Sequence, residues 1–153
     1  MNHHATSMVS GLKISVIVPC YHSEYVIDDC IDSIIEMGGE LLDELIVVDN
    51  SESPMDSSHL DGARNVKLSY MCTRRNLSFR AQVNMGVKQA NNEFILVSNP
   101  DIVLTDRDAI PKLMEPVSQN DDVACAFTVI LHPDKRLNNY HTSFAVPFLV
   151  SYA

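Results

Sequence analysis

Two short apolar runs, "KISVIVP" (Lys13 to Pro19) and "DELIVVD" (Asp43 to Asp49), each end in a polar cluster. Their β-branched residues follow one another without apolar–polar alternation, which predicts strands buried on both faces, as in a parallel sheet. Between them Val26, Ile27, Cys30, Ile31, Ile34 and Ile35 recur at helical spacing, with Ser23 placed to cap the helix and Gly38-Gly39 to end it. The pattern then repeats. A third strand is predicted at "NVKLSYMC" (Asn65 to Cys72), and a helix after Ser78 carries Phe79, Val83, Val87 and Ala90 on one stripe. A fourth strand is predicted at "EFILVS" (Glu93 to Ser98). Such alternation predicts an α/β domain with a central, mostly parallel sheet and right-handed crossovers. A further helix through Ile110, Leu113, Met114 and Val117 should be short or kinked, because Pro111 and Pro116 cannot both sit comfortably inside it. A fifth strand, "VACAFTVIL" (Val123 to Leu131), and a turn at "HPDKRLNNY" follow.

The 153 residues suffice for one domain, with residues 1–12 as a flexible polar tail and 13–153 as the folded part. Apolar residues make up 46% and charged residues 20%, the balance of an ordinary globular protein. The net charge is −9 and the 11 Lys and Arg residues form no dense cluster, which argues against nucleic acid or an anionic bilayer as a purely electrostatic partner. Cys20, Cys30, Cys72 and Cys125 have no C-x-x-C spacing and read as reduced, buried thiols of a cytoplasmic protein. No apolar run approaches the roughly 20 residues of a membrane span.

In an open α/β sheet, ligands collect at the carboxyl ends of the strands. Those positions hold Pro19 to Glu24 after the first strand, Asp49 to Ser51 after the second, and Asn99-Pro100-Asp101 after the fourth. Tyr21 offers a flat face for a base, Asp49 can accept from the N–H of a uracil or similar ring, and Asp101 supplies a hard oxygen for Mg2+ or Mn2+. A turn alone would also account for Asn-Pro-Asp; its place on the same edge as Tyr21 and Asp49 favours the metal role. Neither G-x-G-x-x-G nor a P-loop is present, so a metal-bridged diphosphate is the expected way for this acidic edge to hold an anion.

The segments "ISVIVPCYHSEYVIDDCIDSI", "ELIVVDNSE" and "RRNLSFRAQVNMGVKQANNEFILVSNPDIVL", in this order, resemble the donor-binding part of family-2 glycosyltransferases. The "VDN" and "NPD" spellings look like the rhamnosyltransferase-like branch. The resemblance covers roughly Lys13 to Leu131. It implies a GT-A, Rossmann-like three-layer sandwich that carries sugar from a nucleoside diphosphate donor to a saccharide or lipid-linked acceptor in polysaccharide biosynthesis. It also implies Mg2+ or Mn2+ as cofactor and is compatible with peripheral membrane association. Residue by residue, Pro19, Tyr21 and Glu24 match the family's first nucleotide loop, and Asp49 its base-contacting aspartate. Asn84 and Gly86 match its N-x-G, and Asn99 and Asp101 the two ends of its metal-binding triplet. Val83 stands where an arginine is common, with Arg80 about one turn earlier. Asn99 is a weaker ligand than aspartate for a hard cation.

The family's catalytic base, a carboxylate often found in an "ED" pair, is expected beyond Ala153. The chain therefore reads as C-terminally truncated, retaining the donor half and lacking the acceptor half. The apolar "SFAVPFLVSYA" (Ser143 to Ala153) would then be an exposed flank that favours a homo-oligomer. The alternative reading is a non-catalytic interaction domain with a degenerate GT-A fold, motivated by Asn99, Val83 and the missing half.

Overall fold

The computed structural model describes residue 9 and residues 11–63, 66–128 and 148–151. In chain order the elements are β1 (Ile14–Cys20), α1 (Ile27–Gly38), β2 (Leu42–Asp49), β3 (Lys67–Cys72), α2 (Phe79–Gln89), β4 (Phe94–Val97), α3 (Ala109–Gln119), β5 (Cys125–Phe127) and β6 (Phe148–Ser151). Short 3-10 turns occupy Gly39–Leu41 and Ser57–Ala63. The sheet has six strands in the order β3-β2-β1-β4-β6-β5. β1, β2, β3 and β4 pair in parallel, whereas β6 is antiparallel to both β4 and β5. The chain builds outward from β1 to β3 and then returns to the other side of β1. That reversal leaves a crevice at the carboxyl ends of β1 and β4, where open α/β sheets take their ligands.

The absence of alternation in the strands has a direct structural counterpart: every residue of β1 is buried, because both faces are covered. Val16, Val18, Leu45, Val47 and Leu96 pack with Ile27, Ile31 and Ile34 of α1 and with Ile110 and Met114 of α3. Ile17, Ile46, Val48, Ile95 and Val97 face the other way, toward Phe79, Val83 and Val87 of α2. The result is the expected three-layer sandwich. A Cβ on Gly86 would lie 2.5 Å from Ile17 Cγ2, so the glycine lets α2 approach the sheet closely.

Local details depart from the sequence pattern in several places. Ser23 does not cap α1 through its side chain: its carbonyl accepts from the Val26 and Ile27 amides, each at 3.0 Å, while Oγ accepts from the Tyr21 amide at 3.2 Å. α3 runs over 11 residues with Pro116 inside it, at the expense of one backbone hydrogen bond. Pro111 is cheaper, since it lies in the first turn where the amide has no intrahelical acceptor. The tail expected through residue 12 lies largely outside the described residues, but Val9 is 1% exposed and Leu12 packs on the same core.

The largest correction concerns "SFAVPFLVSYA". Phe148–Ser151 forms β6 in the interior of the sheet, hydrogen-bonded to β4 on one side and β5 on the other. These residues are therefore strand formers with two ladder partners rather than an abandoned flank. The rest of that segment, the end of the predicted fifth strand and "HPDKRLNNY" lie outside the described residues. Among the described residues no helix is long and apolar enough to cross a membrane.

Candidate functional site

Four loops meet at the carboxyl edge of the parallel strands: residues 21–26 after β1, 50–56 after β2, 73–78 after β3 and 98–104 after β4. Backbone hydrogen bonds tie the strand ends together, from Asn50 N to Cys20 O at 2.9 Å, Thr73 N to Asp49 O at 2.7 Å and Ser98 N to Ile17 O at 3.0 Å. Among the described residues, the non-glycine ones with left-handed backbone are His22 and Arg74 (φ 47° and 53°), and both belong to these loops. Left-handed non-glycine residues cost energy and concentrate where a loop must hold a particular shape.

Tyr21 is 43% exposed and free to present its ring. Its hydroxyl donates to Glu52 Oε1 at 3.3 Å, and His22 packs edge-on against it with ring centres 4.3 Å apart. Glu24 is half-buried beside it. Asn99 is half-buried and its backbone carbonyl collects three donors: the Cys30 thiol at 3.3 Å, the Ser98 hydroxyl at 3.3 Å and the Ile102 amide at 3.2 Å. Asp101 is exposed, and its carboxylate makes no hydrogen bond or ion pair with a described residue. Burial, with the Asp101 charge adding to it, pushes the Cys30 thiol up to about 12, so Cys30 remains a neutral donor to the Asn99 carbonyl.

Among the described residues no three His, Cys, Asp or Glu side chains converge as a metal-binding group. One free carboxylate beside one amide is nevertheless the donor set suited to a hard cation that keeps several waters and is completed by phosphate oxygens. Asn99 and Asp101 fit that group.

Three of the expected site residues lie away from the exposed edge in this structure. Asp49 is fully buried, and its carboxylate is already used: Oδ1 accepts from the Ser51 amide at 2.8 Å and hydroxyl at 2.6 Å, and Oδ2 from the Tyr70 hydroxyl at 2.7 Å. It braces the turn after β2 from behind the exposed edge. Pro19 is buried within β1, opposite Val48, so its ring lines the sheet rather than the ligand edge. Asn84 is exposed on α2, two residues from each of the buried Gln82 and Gly86. Two residues turn a helix by roughly 200°, which points Asn84 away from the sheet.

Other residues of the edge are not among the expected site residues. Gln82 is 5% exposed, and its Nε2 donates to the carbonyls of Cys20 at 2.8 Å and Val48 at 3.0 Å, joining the ends of β1 and β2. The signal available in the sequence is a polar residue on the apolar stripe of Phe79, Val83 and Gly86. Asn50 is 1% exposed and bridges to the next loop, donating to Leu77 O at 2.7 Å and accepting from the Thr73 hydroxyl at 2.9 Å. Arg74, Arg75 and Arg80 are exposed and form no ion pair with a described residue. A cavity of about 360 Å³ opens at the opposite edge, lined by Lys13, Met37, Leu41 and Arg107 among others, and includes none of the expected site residues.

Residues 15–151 match the model of "Glycosyl transferase family 2". No curated protein matches the chain in sequence. Among solved structures, the fold is similar to a mannosyltransferase from Pyrobaculum calidifontis in complex with GDP-Man and Mn2+, with TM-score 0.71 and 14% identity over 91% of this chain and 44% of that one. It is also similar to glucosyl-3-phosphoglycerate synthase from Mycobacterium tuberculosis in complex with Mg2+ and UDP, with TM-score 0.66 and 17% identity over 96% of this chain and 59% of that one. The chain thus spans 44% and 59% of the lengths of these two proteins. At such identities the likeness establishes the fold, an α/β sandwich of the GT-A kind.

Proposed function

The chain belongs to glycosyl transferase family 2, and on that premise we propose that it holds a nucleoside diphosphate sugar at the carboxyl edge of its sheet for transfer to a saccharide or lipid-linked acceptor. The observation that carries this reading is Asp101: an exposed carboxylate with no described partner, in the loop after β4, where three donors fix the backbone carbonyl of Asn99. Tyr21 is the stacking face and Glu24 borders it. Asn99 and Asp101 would hold Mg2+ or Mn2+, which neutralises charge on the leaving diphosphate when bound. The complexes of the two structural relatives with Mn2+ or Mg2+ support a divalent cation here. The narrower placement in a rhamnosyltransferase-like branch rests on the "VDN" and "NPD" spellings. Four free thiols favour a reducing compartment, the cytoplasm.

Calorimetry with UDP-, dTDP- and GDP-sugars and Mn2+ tests the reading. Binding of at least one donor is expected, and Asp101→Asn weakens it about tenfold or more with unchanged thermal stability. No binding in the millimolar range overturns it. A second reading, a non-catalytic domain on the same fold, is favoured by the burial of Asp49 and the outward-facing Asn84. It predicts that Asp101→Asn changes nothing.

A further inference from the structure

A nucleotide-binding edge needs an exposed acceptor to read a base N–H, and Asp49 has no exposed surface in this structure, with Ser51 and Tyr70 donating to its two oxygens. Three residues on, at the mouth of the same turn, stands Glu52. Its side chain is 61% exposed. One oxygen lies 3.3 Å from the Tyr21 hydroxyl and the other 3.0 Å from His22 Nε2. The first distance is long for an O–H···O bond and the second belongs to a solvent-exposed pair, so both partners are readily exchanged for a ligand group. The turn itself is held firmly: the His22 amide donates to Ser51 Oγ at 2.9 Å, and that hydroxyl donates to Asp49 at 2.6 Å. A hydrogen bond from its own backbone amide, and then the His22 ring, keep the Glu52 carboxyl below its ordinary range, so near neutral pH it accepts hydrogen bonds only.

Resting on the nucleotide reading above, the geometry points to Glu52 as the specificity-determining residue that reads the base, with Tyr21 as its stacking platform. Asp49 then acts as a positioning residue behind it. A carboxylate has no donor, so it favours a ring N–H over the bare ring nitrogen that cytosine and adenine set beside their amino group. Uracil, thymine and guanine carry one on their pairing edge, whereas adenine and cytosine present a bare ring nitrogen there. Glutamine at the same place would both donate and accept, and would lose that discrimination.

The test is titration of the full chain, in Mn2+, with UDP, GDP, ADP and CDP. The parent protein is expected to prefer UDP or GDP over both ADP and CDP by about tenfold or more, the span of one well-made base contact. Glu52→Gln should bring that ratio to within about threefold, and Glu52→Ala should weaken the preferred nucleotide most. Both variants should unfold at the parent's temperature, because the side chain is exposed. Unchanged preference in both variants, or a parent that binds all four equally, overturns the role of Glu52 and leaves the nucleotide reading standing. A parent that binds none of the four overturns that reading as well.

Discussion

Asp49 and Tyr70 meet behind the ligand edge, where the tyrosine hydroxyl donates to Oδ2 at 2.7 Å and accepts from the Met55 amide at 3.0 Å. The phenol joins the end of β2 to the loop that covers it. Tyr70→Phe would leave a fully buried carboxylate short of a donor and the Met55 amide without its acceptor. We expect a loss of about 1.5–3 kcal/mol in urea denaturation at neutral pH. Burial, and then the bond to Asp49, push the Tyr70 phenol far above its ordinary 10.0. The folded state therefore keeps a proton that the unfolded chain releases, and this contribution is full below pH 10 and lost as pH rises further. Tyr70→Phe should lack that part of the alkaline loss.

Glu44 sits at the other end of the same strand with its side chain 2% exposed. It accepts from the Ser15 hydroxyl at 2.6 Å, the Asn91 amide at 2.6 Å, Asn91 Nδ2 at 2.8 Å and Lys67 at 3.1 Å. Burial alone would raise its pKa, but the donors from Ser15, Asn91 and Lys67 outweigh it and hold the carboxyl below 4.5. The unfolded chain takes up a proton first, so the contribution is present above pH 4.5 and is lost as pH falls through the folded value. Thermal unfolding across that range should show a steeper acid loss in the parent than in Glu44→Gln. The variant should itself be less stable by about 1–3 kcal/mol at neutral pH.

Gly86 answers to packing. Its Cβ would meet Ile17 Cγ2 at 2.5 Å and Cδ1 at 3.0 Å, inside the layer between α2 and β1. Gly86→Ala should cost about 1–3 kcal/mol despite the better helix propensity of alanine. Ile17→Ala removes the clashing atoms, so the double variant should lose less than the sum of the single ones. A double-mutant cycle in urea measures that coupling, and additive losses would show that the helix shifts instead.

The strands and helices were legible because burial on both faces writes itself into composition: Val16 to Val18 and Leu45 to Val48 have no polar residue to alternate with. The exposure of Tyr21 and Asp101 was legible too, since Tyr21 directly follows β1 and Asp101 lies in the polar loop after β4. Asp49 was not, because a strand-end carboxylate reads the same whether it meets a ligand or a tyrosine 21 positions on. Asn84 and Gly86 read as one motif, yet helical geometry sends one to solvent and the other to Ile17. Phe148–Ser151 had no separate signature either: an antiparallel strand inserted between β4 and β5 depends on a pairing distant in sequence.

Gln82 offers the sharpest separation of scaffold from edge. Its amide reaches through the α2 face of the sheet to two carbonyls at the ends of neighbouring strands, those of Cys20 and Val48, and Cys20 O also receives the Asn50 amide at 2.9 Å. Gln82→Met keeps length and burial but removes both bonds. Val48 O then loses the side-chain donor it has here, and the variant should be less stable by about 1–3 kcal/mol. Because Cys20 directly precedes Tyr21, and Val48 directly precedes Asp49, the same substitution should loosen both loops that shape the edge. Nucleotide affinity should therefore fall several-fold at temperatures where the variant is still fully folded, about 1 kcal/mol in binding. Gln82→Asn retains the amide but is one methylene short, so it should recover little of either quantity. A stability loss with nucleotide affinity unchanged would assign Gln82 to the scaffold alone.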